Sequence, residues 1–86
     1  MATREEKMEA FGQLLDILDE LRVKCPWDRK QTHASIAKNM IEEAYEAVDC
    51  IEASDPVHLC EELGDVLMQV VLHAQIARDA GEFSID

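Results

Sequence analysis

The sequence is poor in the residues that punctuate a chain. Its 86 positions hold only three glycines and two prolines, and its aromatic residues are one Trp, one Tyr and two Phe. So little turn chemistry argues against many short strands and favours a few long helices. The three cysteines, Cys25, Cys50 and Cys60, are odd in number and include no C-x-x-C pair, which excludes a disulfide framework and a zinc knuckle. Free thiols point to a reducing, cytoplasmic setting. No apolar run approaches the length needed to span a bilayer, and the N-terminal MATREEKMEAF lacks the apolar core of a signal peptide, so no membrane partner is expected. Positive charge is also scarce: eight basic against nineteen acidic residues leave a net charge of −11. Such a surface repels nucleic acid, which is therefore not expected as a partner. If the substrate is an anion, a bound divalent cation is the simplest offset to the protein's own field. Solubility alone is the plainer reading of the same charge.

What the sequence does contain is helical periodicity. In a segment from about Arg4 to Val23, Met8, Phe11, Leu15 and Leu18 recur at three- and four-residue steps, and Leu14, Ile17 and Leu21 widen the stripe. Lys24-Cys25-Pro26-Trp27-Asp28 interrupts it, because Pro26 disfavours helix at Cys25. Asp28 with Gln31 is a candidate capping box for a new turn, and Thr32 is a rival cap. A second long helix is expected from about His33 to Glu52, with Ile36, Met40, Ala44, Ala47, Val48 and Ile51 as its stripe. Ser54 or Asp55 then caps a third, from about Val57 to Asp79, with Pro56 in its first turn and Gly81 as its stop. Gly64, inside that helix, is either a point of close approach or a tolerated interior glycine. The expected fold is all-α, an antiparallel helical bundle of three long helices in a single domain over residues 1–86. A chain this short buries a modest core by itself, so completion of the bundle by oligomerisation is expected.

The acidic residues are placed, not merely abundant. The second long helix carries Glu43 and Glu46, and the third carries Glu62 and Asp65, each pair three residues apart and so on one side of its helix. At about 100° per residue, both pairs flank their apolar stripes in the same rotational sense. Asn39 shares that flank on one helix, and Gln69 and His73 on the other. A short connection makes the two helices antiparallel, and the two-fold relation between antiparallel neighbours carries the flanks to the same side of the seam. Four converging carboxylates without a nearby nitrogen or sulfur ligand select a hard cation, Mg²⁺ first and Mn²⁺ second. A solvated acidic face is the competing reading.

Cys25-Pro26-Trp27-Asp28, Gln31-Thr32, Glu42-Glu43-Ala44-Tyr45-Glu46, Glu61-Glu62-Leu63-Gly64-Asp65, His73-Ala74-Gln75 and Gly81-Glu82-Phe83 together resemble the MazG family in order and spacing, over nearly the whole chain. The resemblance implies an all-α, Mg²⁺-dependent nucleoside triphosphate pyrophosphohydrolase. Such an enzyme releases nucleoside monophosphate and pyrophosphate, as in housecleaning of the nucleotide pool, and works as a homodimer or dimer of dimers with helices of two subunits around each site. By motif position it implies Glu43, Glu46, Glu62 and Asp65 as metal ligands. Glu42 matches the motif's first acid and is the candidate to orient or deprotonate the attacking water. Two features depart from the pattern. Many relatives continue into a helix rich in Arg and Lys, so the domain is expected to be C-terminally short relative to the family. Cys60 stands where relatives often carry Lys or Arg. Both remove positive charge near a triphosphate and support the alternative, a non-catalytic dimerising helical module that keeps the fold and nucleotide binding.

Trp27, Lys30 and Asn39 are the candidate substrate contacts. For Trp27, stacking on a nucleobase competes with anchoring its loop against the core, and the latter is the commoner role of a loop Trp. Lys24, Arg29, Lys30 and Lys38 are the nearest basic residues in sequence, and solvated surface charge is the ordinary role for each. His33 and His73 read as polar neighbours rather than catalytic bases.

Overall fold

The computed structural model describes residues 1–86 and is all-helical, with α1 (Arg4–Lys24), α2 (Pro26–Lys30), α3 (His33–Glu52) and α4 (Pro56–Asp79). Contacts pair α1 with α2 and α3 with α4, giving two compact units, residues 1–30 and residues 31–86. None of the helices is long and apolar enough to cross a membrane.

In the first unit, α1 starts at Thr3. Its hydroxyl accepts from the Glu6 amide at 3.1 Å, and the Glu6 carboxylate accepts from the Thr3 amide at 3.0 Å, so two orphan donors of the first turn are satisfied at once. Glu5 and Glu6 in the first turn and Arg22 and Lys24 in the last agree in sign with the helix dipole. Cys25, ahead of Pro26, is extended as expected.

The expected Asp28 cap is corrected. Asp28 lies inside α2 and is buried, where its carboxylate pairs with Arg22 at 3.4 Å. The Arg22 guanidinium also donates to the Asp28 carbonyl, and Arg29 reaches back to the Val23 carbonyl at 2.5 Å. The buried carboxylate thereby gains a guanidinium counter-charge that a cap on backbone amides would not supply, and Pro26 suits the first position of α2, where its missing N–H costs nothing. Asp28, not Trp27, is therefore the buried residue of the Cys25–Asp28 motif: Trp27 is 57 % exposed, more open than a loop anchor is expected to be.

The second unit opens with the rival cap. The Thr32 hydroxyl accepts from the Ser35 amide at 3.1 Å, and Ser35 Oγ accepts from the Thr32 amide at 2.8 Å. The joint between α3 and α4 is a left-handed stop followed at once by a new cap. Ser54 has φ 53°, the Asp55 amide donates to the Cys50 carbonyl and the Ser54 amide to the Ile51 carbonyl, and these are the two bonds of a Schellman motif. Asp55 then caps α4 by accepting from the His58 amide at 3.2 Å. The end of α4 repeats the device with Gly81 at φ 73°. There Glu82 donates to the Ala77 carbonyl and Gly81 to that of Arg78.

The buried apolar residues of this unit are Ile36 and Ala47 on α3 and Val71, Ala74, Ile76 and Ala77 on α4. Three of the six are alanines, Ile36 and Val71 are the largest side chains fully buried, and much of each expected stripe stays uncovered. Val48, Ile51, Leu63 and Val70 are all exposed. Gly64 has open space where a Cβ would lie, so within the chain it is a tolerated interior glycine.

Ser54 is the one non-glycine residue with positive φ, a conformation that crowds an L side chain against the next carbonyl. Ser54→Gly is expected to raise unfolding free energy by about 0.5–1 kcal/mol, the relief of that crowding less the greater entropy of glycine in the unfolded chain. Urea denaturation followed by circular dichroism checks it.

Candidate metal centre

The joint after α3 turns the chain back on itself, and the contacts across the seam show opposite running directions. Glu46 acts on Glu62, and Asp65 on Glu43, while further out His33 meets His73. Partner numbers rise on α4 as they fall on α3, the signature of an antiparallel pair.

This register gathers the four carboxylates. One oxygen from each of Glu43, Glu62 and Asp65 can be chosen so that all lie within 4.8 Å of one another. Glu46 adjoins the same cluster, since it interacts with both Glu43 and Glu62. Glu43 and Glu62 are partly buried, and the Oε2 atom of each is covered and has no hydrogen-bond partner. Covered polar atoms are ordinarily satisfied, so two such oxygens facing other carboxylates mark an arrangement that lacks a positive counterpart.

The electrostatics agree. The Glu43 carboxyl is pushed above its ordinary value first by burial, then by the charges of Glu46 and Asp65. Glu62 is raised first by its hydrogen bond with Glu46, then by burial and by the charges of Glu46, Asp65 and Glu43. The Glu62 charge also reaches His58, one turn earlier on α4, which Asp55 holds at 2.6 Å. Cys50, one turn beyond Glu46, lies close enough that burial and the Glu62 charge raise its thiol.

Of the other candidates, Glu42 is exposed beside Glu43 and Asn39 is half-buried one turn before it. Trp27 and Lys30 belong to the first unit. Sequence reasoning left His33 and His73 as mere neighbours, but the structure joins them: their Nδ1 atoms lie 2.9 Å apart, and His33 Nε2 lies 3.0 Å from Glu82 Oε1. The shared flank of His73 was visible in the spacing. The return of Glu82 through a left-handed Gly81 was not.

A carboxyl whose folded pKa exceeds its unfolded one stabilises the fold at low pH and ceases to do so as pH climbs through the raised value. Glu43 and Glu62 both lie above 4.5. With a chelator present, their contribution is therefore complete below 4.5 and is lost as pH climbs on through their raised values. Glu43→Gln is expected to flatten this part of the stability–pH curve, read as melting temperature against pH for both proteins.

Comparison with known proteins points the same way. Residues 31–86, which hold all four carboxylates, match the family model of the MazG nucleotide pyrophosphohydrolase domain. The chain is 52% identical over 87 residues to the "Uncharacterized protein YabN" of Bacillus subtilis, covering 96% of this chain and 18% of that protein. It is 50% identical over 78 residues to the nucleoside triphosphate pyrophosphohydrolase/pyrophosphatase MazG of Thermotoga maritima, covering 88% and 31%. With the nucleoside triphosphate pyrophosphohydrolase of Escherichia coli K12 it shares 44% identity over 82 residues, covering 92% and 31%. The chain thus spans about a fifth to a third of the length of these relatives. On the match over residues 31–86, the chain belongs to the MazG nucleotide pyrophosphohydrolase family.

Proposed function

We propose that this chain hydrolyses nucleoside triphosphates to nucleoside monophosphate and pyrophosphate, using Mg²⁺, with Mn²⁺ as a substitute. The observation that carries the reading is the carboxylate cluster itself: three oxygens within 4.8 Å and two covered and unpartnered Oε2 atoms. An all-oxygen donor set fits a hard dication, which Glu43, Glu46, Glu62 and Asp65 would hold. The chemistry such an ion supplies when bound is neutralisation of polyphosphate charge.

The remaining work falls to the chain. Water attacks the α-phosphorus, a P–O bond forms, the α–β bridge breaks, and pyrophosphate leaves. Glu42, exposed beside Glu43, orients that water and takes its proton. Asn39, one turn before Glu43 on the same flank, donates its amide to substrate oxygen; Lys30 and Trp27, in the first unit, are candidate substrate contacts by motif position only. Positioning and electrostatics supply most of the acceleration. The three free thiols fit a reducing, cytoplasmic setting.

Self-association belongs to the same reading. Ile41, Tyr45 and Val48 on α3 and Leu63, Leu67 and Val70 on α4 are all exposed, more contiguous apolar surface than a monomer ordinarily shows to water. A second copy would cover it and complete the helical bundle.

Pyrophosphate release from a panel of nucleoside triphosphates with Mg²⁺ tests the activity. Glu62→Gln, which keeps shape and removes charge, is expected to lower kcat/KM by at least about a hundredfold, and unchanged turnover would refute the assignment. By sedimentation, the 9.7 kDa chain is expected to run as a dimer or larger, and a clean monomer at micromolar concentration contradicts the assembly.

A further inference from the structure

The His33–His73 contact is an edge-on hydrogen bond. The rings are within 3° of parallel with centroids 5.1 Å apart, while Nδ1 meets Nδ1 at 2.9 Å. That centroid separation is the largest a 2.9 Å contact and two ring radii allow, so both nitrogens lie on the line of centres. The rings share a plane and do not stack face to face. A head-on approach this short leaves room for one proton between the nitrogens and none for a metal ion.

The order of protons follows from Glu82. A carboxylate only accepts, so His33 Nε2, 3.0 Å from Glu82 Oε1, carries hydrogen. With both rings neutral, His33 Nδ1 is then a bare acceptor, and the shared proton belongs to His73 Nδ1. His73 Nε2 is left as a lone pair. Burial and the neighbouring His33 both push His73 below its ordinary value, which favours the neutral ring. The groups that face the pair are Glu82 from the segment after α4 and the two imidazoles themselves.

That lone pair is unfinished. His73 Nε2 is covered and has no donor, and Gln69 Oε1, one turn nearer the carboxylates, is covered and unpartnered as well. Both residues share the flank of α4 that carries Glu62 and Asp65. His73 is eight residues beyond Asp65, about 12 Å along the axis, a span comparable to that from the phosphates of a nucleotide to its base. His73 also lines a cavity of about 330 Å³ with Met40, Val70, Ala74 and Phe83, mostly apolar with one aromatic wall, which suits a planar heterocycle.

We propose that His73, held by His33 and Glu82 in the tautomer that leaves Nε2 bare, accepts a hydrogen bond from an N–H of the substrate's nucleobase seated in this cavity. The base enters by displacing the exposed Phe83 side of the wall. Glu82 and His33 are positioning residues, and His73 is the contact. The inference rests on the triphosphate reading above and assigns where the nucleoside end of that substrate lies.

Long-range ¹H–¹⁵N NMR of the full chain at about pH 8.5, above the ordinary imidazole range, reads both nitrogens of each ring. The expected spectrum shows His73 protonated at Nδ1 and bare at Nε2. With Mg²⁺, α,β-methylene analogues of the common nucleoside triphosphates are added, with inorganic tripolyphosphate as the baseless control. At least one analogue is expected to move the Nε2 resonance, while tripolyphosphate leaves it in place. A protonated Nε2 overturns the proposal. So does an Nε2 signal unmoved by every analogue while amides around Glu62 and Asp65 respond, and that result leaves the triphosphate reading standing. If neither ligand perturbs any residue, both fall. Glu82→Ala removes the acceptor that keeps hydrogen on His33 Nε2 and is expected to free the proton order. Nε2 of His73 then becomes partly protonated, and analogue affinity drops about threefold with tripolyphosphate affinity unchanged. A His73 tautomer that survives this change overturns the role of Glu82.

Discussion

Four carboxylates held on one side of a helical hairpin repel one another, and the second unit is arranged around that repulsion. Nothing in α3 or α4 alone rewards Glu43 beside Glu46 or Glu62 beside Asp65, since like charges a turn apart destabilise an isolated helix. The cost is raised further by partial burial, which lifts Glu43 and Glu62 above ordinary carboxyl values. The hairpin tolerates it because its ends are tied elsewhere. The Ser54–Asp55 joint holds one end, while Thr32, Ser35 and the His33–His73–Glu82 contact hold the other. The middle is thus free to carry a charge arrangement chosen for a ligand rather than for the fold, as functional sites commonly do.

How legible this was depended on the distance over which each signal acts. Helix ends were readable where local chemistry decides them: Thr32 before His33 and Asp55-Pro56 before Val57 are caps whose partners lie three residues on. The carboxylate flank was readable because it needs only helical periodicity and one short connection. Asp28 was misread for the opposite reason. Its local pattern with Gln31 suits a cap, but Arg22, six residues back across the chain reversal, claims the carboxylate, and no periodicity announces a contact of that kind. The burial of Trp27 was misjudged on residue type alone, and the exposed ring shows how weak that guide is for one side chain in a short loop.

The two units show different ways of spending polar groups. In residues 1–30, Arg22 and Arg29 are committed to closing α2 against the end of α1, so the motif's charged residues serve geometry. In residues 31–86, polar atoms on one flank of α4 are left over: Glu62 Oε2, Gln69 Oε1 and His73 Nε2 all lie covered and unsatisfied. They follow one another along one flank of the helix, two turns and then one turn apart. Such a row is unusual in a folded interior and extends beyond what a cation alone would use.

The joint between α3 and α4 also limits how the lineage can change. A residue gained or lost inside α3 after Glu46, or inside α4 before Glu62, would rotate that acidic pair by about 100° relative to the joint and carry it off the common flank. Selection for the cluster therefore acts on the length of those helical arms as strictly as on their composition. Length changes outside those helical arms leave the register of the cluster alone, so the arms act as the ruler that spans Glu43 to Asp65.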